Sequence, residues 1–247
     1  MSESPSPLDR LVRKLSMRAK LDEADHAAIL GLPHSFRRCH ATTYIIREGE
    51  PSRASCALLQ SGFAYRHKLT AMGAGQIVSL HLPDDLIDLQ NLFLTISDHN
   101  VQALSEIEVV DIDRQALRRL TLERPAVGEA MWVDGLVDSS IYREWVVNVG
   151  RRDARARIAH VLCELVLRAE AAGIGNKEGF ELPMSQEQLA DVVGLTSVHV
   201  NRMLKVLEAE GIIKRDKRPV SFSSWDDVRR AGDFNALYLH LNEAVSA

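Results

Sequence analysis

Ser197, Val198, His199, Asn201 and Arg202 stand at the solvent-facing start of a helical pattern, in the run Thr196–Leu207 (TSVHVNRMLKVL). A hydroxyl, an imidazole, an amide and a guanidinium in one short stretch can address base edges in a duplex major groove. Further on, Lys214, Arg215, Lys217 and Arg218 gather around a tight turn closed by Pro219. Cations grouped at an exposed turn suit phosphate oxygens, which position a protein on a duplex without reading its sequence.

The elements that must hold these groups span Met184–Ile213. Leu189, Ala190 and Val193 fall at helical spacing, and Ser185 with Gln188 forms an S-x-x-Q capping box. Gly194 can take the positive φ of a sharp inter-helix turn. Thr196 can cap a second helix whose apolar positions are Val200, Met203, Leu204 and Leu207. A glycine between two amphipathic helices also describes any αα-hairpin. The segment after Glu210 favours a helix-turn-helix. Ile212-Ile213 starts an apolar strand, the basic turn comes next, and Val220-Ser221-Phe222 resumes an extended pattern, as in the wing of a winged helix-turn-helix.

At 247 residues the chain has room for one or two domains with cores of their own. A net charge of -4 and a pI near 6.1 do not announce a nucleic-acid binder, but where the cations sit matters more than their sum. Cys39, Cys56 and Cys163 form no CxxC pair and imply no disulfide framework. The start MSESPSPLDR lacks an apolar signal core and no apolar run approaches the roughly 20 residues that cross a bilayer, so a cytoplasmic protein without membrane association is expected.

Residues 8–32 read as helical, with a start at Leu21-Asp22-Glu23 and a stop at Gly31-Leu32-Pro33. From Ser35 to about Asp113, apolar runs at Tyr44–Ile46, Cys56–Leu59, Phe63–Lys68, Ile77–Leu82 and Val101–Val110 alternate with turns. Without intervening helices they suggest an antiparallel β-barrel or sandwich. A long helix is expected from about Asp113 to Val149. Val133, Val137, Ile141, Trp145 and Val149 form one ridge, and Trp132, Leu136, Ser140, Arg143 and Val147 a neighbouring stripe. A helix apolar on two sides has two partners, which points to a dimer seam of Val133, Leu136, Val137, Ser140, Ile141 and Val147. A wholly intramolecular core helix is the alternative. Gly150-Arg151-Arg152-Asp153 breaks the pattern as a hinge, with Asp153 an N-cap for the helix Ala154–Ala172. Arg151, Arg152, Arg155 and Arg157 are either a solvated run or neighbours of a DNA backbone. The expected organisation is α+β: a sensor barrel with N-terminal helices over 1–125, a dimerisation helix over 126–150 and a winged helix-turn-helix over 151–247.

Barrel, long helix, hinge and winged helix-turn-helix in that order resemble the Crp/Fnr family of bacterial transcription regulators. The likeness is carried by QLADVVGLTSVHVNRMLKVLEAEGII, DARARIAHVL and the barrel turns REGEP, QSGFAYR and HLPDDLIDLQ. It implies a jelly-roll barrel of the cyclic-nucleotide-binding type and a homodimer on a near-palindromic operator of double-stranded DNA. It also implies activation or repression, with RNA polymerase as a partner if the protein activates. By that likeness Ser185 and Gln186 touch phosphates, as do Lys205 and the wing cations. Ser197, Val198 and His199 face bases, and Arg202 reads a base by donating twice to guanine O6 and N7. Ser197 and Val198 stand where some members carry Arg and Glu, so the half-site should differ there.

The sensor departs further. Cyclic-nucleotide-binding relatives carry a Gly-Glu pair and then an Arg-Ser/Thr-Ala phosphate clasp. Here Pro83–Asp88 and His99–Ala103 offer no clasp arginine, and Asp84, Asp85 and Asp88 would repel a phosphate. Cyclic AMP is therefore not expected. Three scattered cysteines do not suit a four-cysteine iron–sulfur cluster. Haem would need an axial ligand such as His67 or His81, although a lone barrel histidine usually serves structure. Cys39 or Cys56 would sense redox state only with a depressed pKa. The effector stays unknown. No Walker loop, H-E-x-x-H, G-x-S-x-G or metal-spaced His/Cys set is present, so neither catalysis nor a metal site is expected. The competing class is a barrel that binds a small ligand or a partner protein without specific DNA readout.

Overall fold

Asp22 caps a helix by accepting the Asp25 N–H, while the Asp25 carboxylate accepts the Asp22 N–H. This box starts α2 (Glu23–Leu30), which follows α1 (Asp9–Ser16). The computed structural model describes residues 6–177, 180–215 and 219–241. Seven strands come next: β1 (His34–Cys39), β2 (Tyr44–Ile46), β3 (Ser55–Ser61), β4 (Ala64–Leu69), β5 (Gly75–His81), β6 (Asn100–Ala103) and β7 (Ile107–Asp113). They form two sheets, ordered β1-β7-β3 and β2-β6-β4-β5. β7 pairs antiparallel with both neighbours, with Phe36 opposite Val110 and Leu58 opposite Val110 from the other side.

The sequence around Cys56–Leu59 is apolar without alternation because β3 is covered on both faces. Ala57 and Leu59 share a core with Ile45, Ile46, Val101 and Val109 of the sheets. Cys56 and Leu58 point the other way, into a core with Leu11, Leu15, Ile29, Leu117 and Met131 of the helices. Successive strand residues face opposite sides, so a doubly buried strand must be apolar throughout. Burial pushes the Cys56 and Cys163 thiols up, which makes them inert. Cys39 is buried too, with the Arg37 guanidinium 3.1 Å from its Sγ.

Three expectations about the elements do not hold. Residues 101–110 are not one strand: the chain breaks at Leu104-Ser105-Glu106, with β6 in one sheet and β7 in the other. The stretch 113–149 is two helices. Asp113 accepts the Ala116 N–H to start α3 (Arg114–Glu123), and α4 (Pro125–Arg151) begins afresh. Pro125 disfavours helical backbone at the residue before it and fits the first position of a new helix. Gly150 does not interrupt α4, which continues to Arg151.

Asp153 then caps α5 (Ala154–Ala171) by accepting the Ala156 N–H. The remaining elements are β8 (Phe180–Glu181), α6 (Gln186–Val193), α7 (Ser197–Ala209), β9 (Ile213–Arg215), β10 (Pro219–Phe222) and α8 (Trp225–Ala231). A three-stranded sheet runs β8-β10-β9. The chain divides into two compact units: Met1–Arg66 with Leu80–Ser139 and His240–Ala247, and His67–Ser79 with Ser140–Leu239. The division falls within α4 rather than at its ends, and the outer part of the β4–β5 hairpin groups with the second unit.

Candidate nucleic-acid interface

Ser185 Oγ accepts the Gln188 N–H at 3.2 Å, and Gln188 Oε1 accepts the Ser185 N–H at 2.8 Å. Both arms of the capping box are made. The Ser185 oxygen acts as acceptor there, which leaves its O–H to donate, and Gln186 is exposed beside it. α6 ends at Gly194 with φ 65°, where an added Cβ would lie 2.7 Å from Val149 Cγ1. A side chain would be strained by both backbone and space. Thr196 Oγ1 accepts the His199 N–H and starts α7.

α7 buries Val200, Leu204 and Leu207. This turns the other side outward: Val198 is 79% exposed, Arg202 and Lys205 are exposed, and Ser197 and His199 are half-buried. Val198 and Arg202 are four residues apart, so they stand on one face, one turn from each other.

The wing is formed by β9 and β10, with Lys214 opposite Ser221 and Ile213 opposite Phe222. Lys214 is exposed on it. Lys217 and Arg218 lie outside the described residues. Arg215 departs from the expected phosphate role. It binds Glu208 through Nε at 2.9 Å and Nη2 at 2.8 Å, which ties the end of α7 to the wing. The hydrogen bonds from Arg215 lower the Glu208 carboxyl below its ordinary range, so the pair is charged at neutral pH.

Of the four arginines at the junction of α4 and α5, three are held by groups of the chain itself. Arg152 donates to Glu144 at 2.6 Å and Arg155 pairs with Glu210. Arg157 donates to the Arg152 carbonyl at 2.8 Å and to the Val193 carbonyl at 3.1 Å, at the end of α6. Arg151 alone of the four is exposed.

Of the six residues expected to form a dimer seam on α4, only Leu136 and Val147 are exposed. Val137, Ser140 and Ile141 are buried within the chain itself and Val133 is half-buried. The outward stripe is Trp132, 71% exposed, and Leu136, 51% exposed, continued by Arg143, Val146 and Val147.

Several positioning groups carry no sequence signal. Gln76 of the β4–β5 hairpin donates from Nε2 to the Asp191 and Val192 carbonyls at 2.6 and 3.1 Å. Together with Arg157 it satisfies the carbonyls that the end of α6 leaves unpaired. Glu164, buried in α5, accepts from Trp145 Nε1–H at 2.9 Å and from the Tyr238 O–H at 2.8 Å. His160 lies between Tyr238 and Phe234, 3.1 Å from the Tyr238 hydroxyl. The last two sets of contacts fix the segment after α8 on α5, the helix against which the two reader helices pack.

A family model described as Crp-like helix-turn-helix domain matches residues 156–230, and one described as cyclic nucleotide-binding domain matches residues 36–124. The chain is 28% identical over 199 residues to a probable transcriptional activator of Rhizobium leguminosarum bv. viciae, covering 80% of this chain and 81% of that one. It is 26% identical over 220 residues to transcriptional activator protein FnrL of Cereibacter sphaeroides, covering 86% and 87%. The solved structure of FixK2 from Bradyrhizobium japonicum superposes with a TM-score of 0.75 at 22% identity, covering 83% of this chain and all of that one.

In the turn after β5, Asp84 pairs with Arg10 and Arg13, and Asp85 pairs with Lys14. Asp88 is fully buried and accepts the Ala57 N–H at 2.8 Å. His67 and His81 are buried. Among the described residues no group of three or more His, Cys, Asp or Glu side chains is placed to hold a metal ion, and no helix is long and apolar enough to cross a membrane.

Proposed function

We infer that the chain is a DNA-binding transcription regulator of the Crp/Fnr type, with a sensing domain of the cyclic-nucleotide-binding type, from the two domain matches and the named relatives. From that premise we propose that it acts as a cytoplasmic homodimer, without catalytic activity. It reads a near-palindromic duplex operator through Ser197, Val198, His199 and Arg202, with Ser185, Gln186, Lys205 and Lys214 on phosphates. Two copies pair through the α4 stripe of Trp132, Leu136 and Val147. They bring two α7 helices to half-sites about 10 bp apart centre to centre. The relatives are named activators, and activation would add RNA polymerase as a partner.

The observation that carries this reading is the outward face of α7. Val198 and Arg202 are exposed on a helix whose opposite side is fully packed, beside a wing that presents Lys214. Exposed apolar and cationic groups side by side suit base edges flanked by phosphates. Salt titration of duplex binding tests it. Each phosphate contact releases counterions, so affinity should fall linearly on a log–log plot of salt. Lys214→Ala should flatten that slope by about 2, one contact being lost from each copy of the dimer, and weaken every sequence alike. Arg215→Ala should leave the slope unchanged, because Glu208 already neutralises that cation. A slope near zero for the wild-type chain would instead favour a sensor module that assembles with proteins.

A further inference from the structure

The N-terminal helix α1 lies ahead of residue 36, where the matched sensing domain begins. It is anchored below by Leu8, Leu11 and Leu15, buried with Leu117, Val127, Ala130 and Met131 of α3 and α4. Its other side carries cations. Arg10 and Arg13 bind Asp84. Lys14 Nζ lies 2.8 Å from Asp85 and 3.6 Å from Asp134. Arg18, just past the helix, reaches Asp134 at 2.9 Å and donates to the His240 carbonyl at 3.2 Å. Burial works against the Lys14 charge, but Asp134 and Asp85 outweigh it and raise its pKa.

Asp134 belongs to α4, midway between Trp132 and Leu136. Two residues along a helix is a rotation of about 200°. A carboxylate drawn inward by Lys14 and Arg18 therefore turns the residues two before and two after it outward. Trp132 and Leu136 are the exposed start of the pairing stripe. Val127, Ala130, Met131 and Val137 bury the same face of α4 as Asp134, so the ionic contacts add to apolar packing in holding that face inward.

We propose that α1 is an ionic strap that sets the rotation of α4 about its own axis, with Asp134, Lys14 and Arg18 as the positioning residues that present Trp132 and Leu136 to a second copy of the chain. The inference rests on the α4 pairing proposed above. Asp84 and Asp85 gain a structural role from the strap, since they fix the outer end of the helix whose inner end holds Asp134.

Sedimentation equilibrium and amide hydrogen exchange on the full chain, as wild type, Arg18→Ala, Asp134→Asn and the double variant, test it. Each single variant should raise the dimer dissociation constant roughly tenfold, and the double should go no further than the larger single, because both break one tether. Exchange over residues 9–18 should quicken in all three. Arg10→Ala with Arg13→Ala, at more exposed positions, serves if Asp134→Asn does not fold. It should raise the constant about threefold, since it frees the strap at one end. Faster exchange over 9–18 with an unchanged dissociation constant overturns the strap's role, and so do additive single effects. A wild-type chain that is monomeric at all concentrations contradicts the pairing itself, and the inference falls with it.

Discussion

Arg202→Ala should cost about 1–3 kcal/mol at each half-site, hence about twice that for the dimer on its operator, and relax preference at one base pair of each half-site. The effect is large because two parallel hydrogen bonds to one guanine are lost together, and no neighbour on α7 can replace a planar fork. The readout is clean because alanine favours a helix and the site is exposed, so α7 should remain packed through Val200, Leu204 and Leu207. Competition binding against operators with each half-site position varied separates the outcomes. A loss confined to sequences with the preferred base identifies Arg202 as the reader of that base. An equal loss on all sequences makes it a phosphate contact.

Asp88→Asn should change the pH dependence of stability more than any other single substitution in the sensor. Asp88 is fully buried, and burial raises its carboxyl from 3.8 to about 7, with Asp111 adding to the rise and the Ala57 N–H, Arg53 and Arg66 opposing it. A folded pKa above the unfolded value means that the folded chain holds a proton the unfolded chain has released. The stability this confers is complete below about pH 4 and drains away as pH rises through 7. The difference amounts to about 4 kcal/mol. Asparagine keeps an oxygen for the Ala57 N–H and has no charge to bury, although the Asn91 amide that donates to Asp88 Oδ2 must turn over. Chemical denaturation from pH 4 to 8 should find the variant level with the wild type at the acid end and ahead of it by up to that amount at pH 8. A difference that does not vary with pH would mean that Asp88 titrates alike in both states.

The reader was legible in the sequence because its determinants are local. The Ser185–Gln188 box, the positive φ at Gly194 and the Thr196 cap each lie within a few residues of what they satisfy, and the structure makes all three. Arg152, Arg155, Arg157 and Arg215 were not legible as struts. Glu144 and Glu208 are near in sequence but look like ordinary surface charges, and Glu210 and the Val193 carbonyl come from distant segments. A guanidinium facing a buried acceptor and one facing solvent read the same in a string of letters.

The two merged elements failed for different reasons. Pro125 carries a local signal for the break between α3 and α4, hidden by an apolar period that runs on either side of it. The switch of sheets between β6 and β7 has no such mark, since Leu104-Ser105-Glu106 contains neither glycine nor proline. On α4 the sequence separates two apolar stripes, but only packing decides which one the chain buries. Val137 and Ile141 went inward, and Trp132, Leu136 and Val147 stayed out. Asp84 is legible only in three dimensions. Its φ of 82° and its pairing with Arg10 and Arg13, more than 70 positions away, turn an acidic turn into the anchor of the N-terminal helix.

Selection of bound duplexes from a random pool by the purified chain, with no ligand added, tests the central claim most directly. The account predicts enrichment of a two-fold symmetric site with half-sites about 10 bp apart centre to centre, one pair of symmetric positions in which is lost on selection with Arg202→Ala. Enrichment of sequences without symmetry, or of none at all, would contradict it.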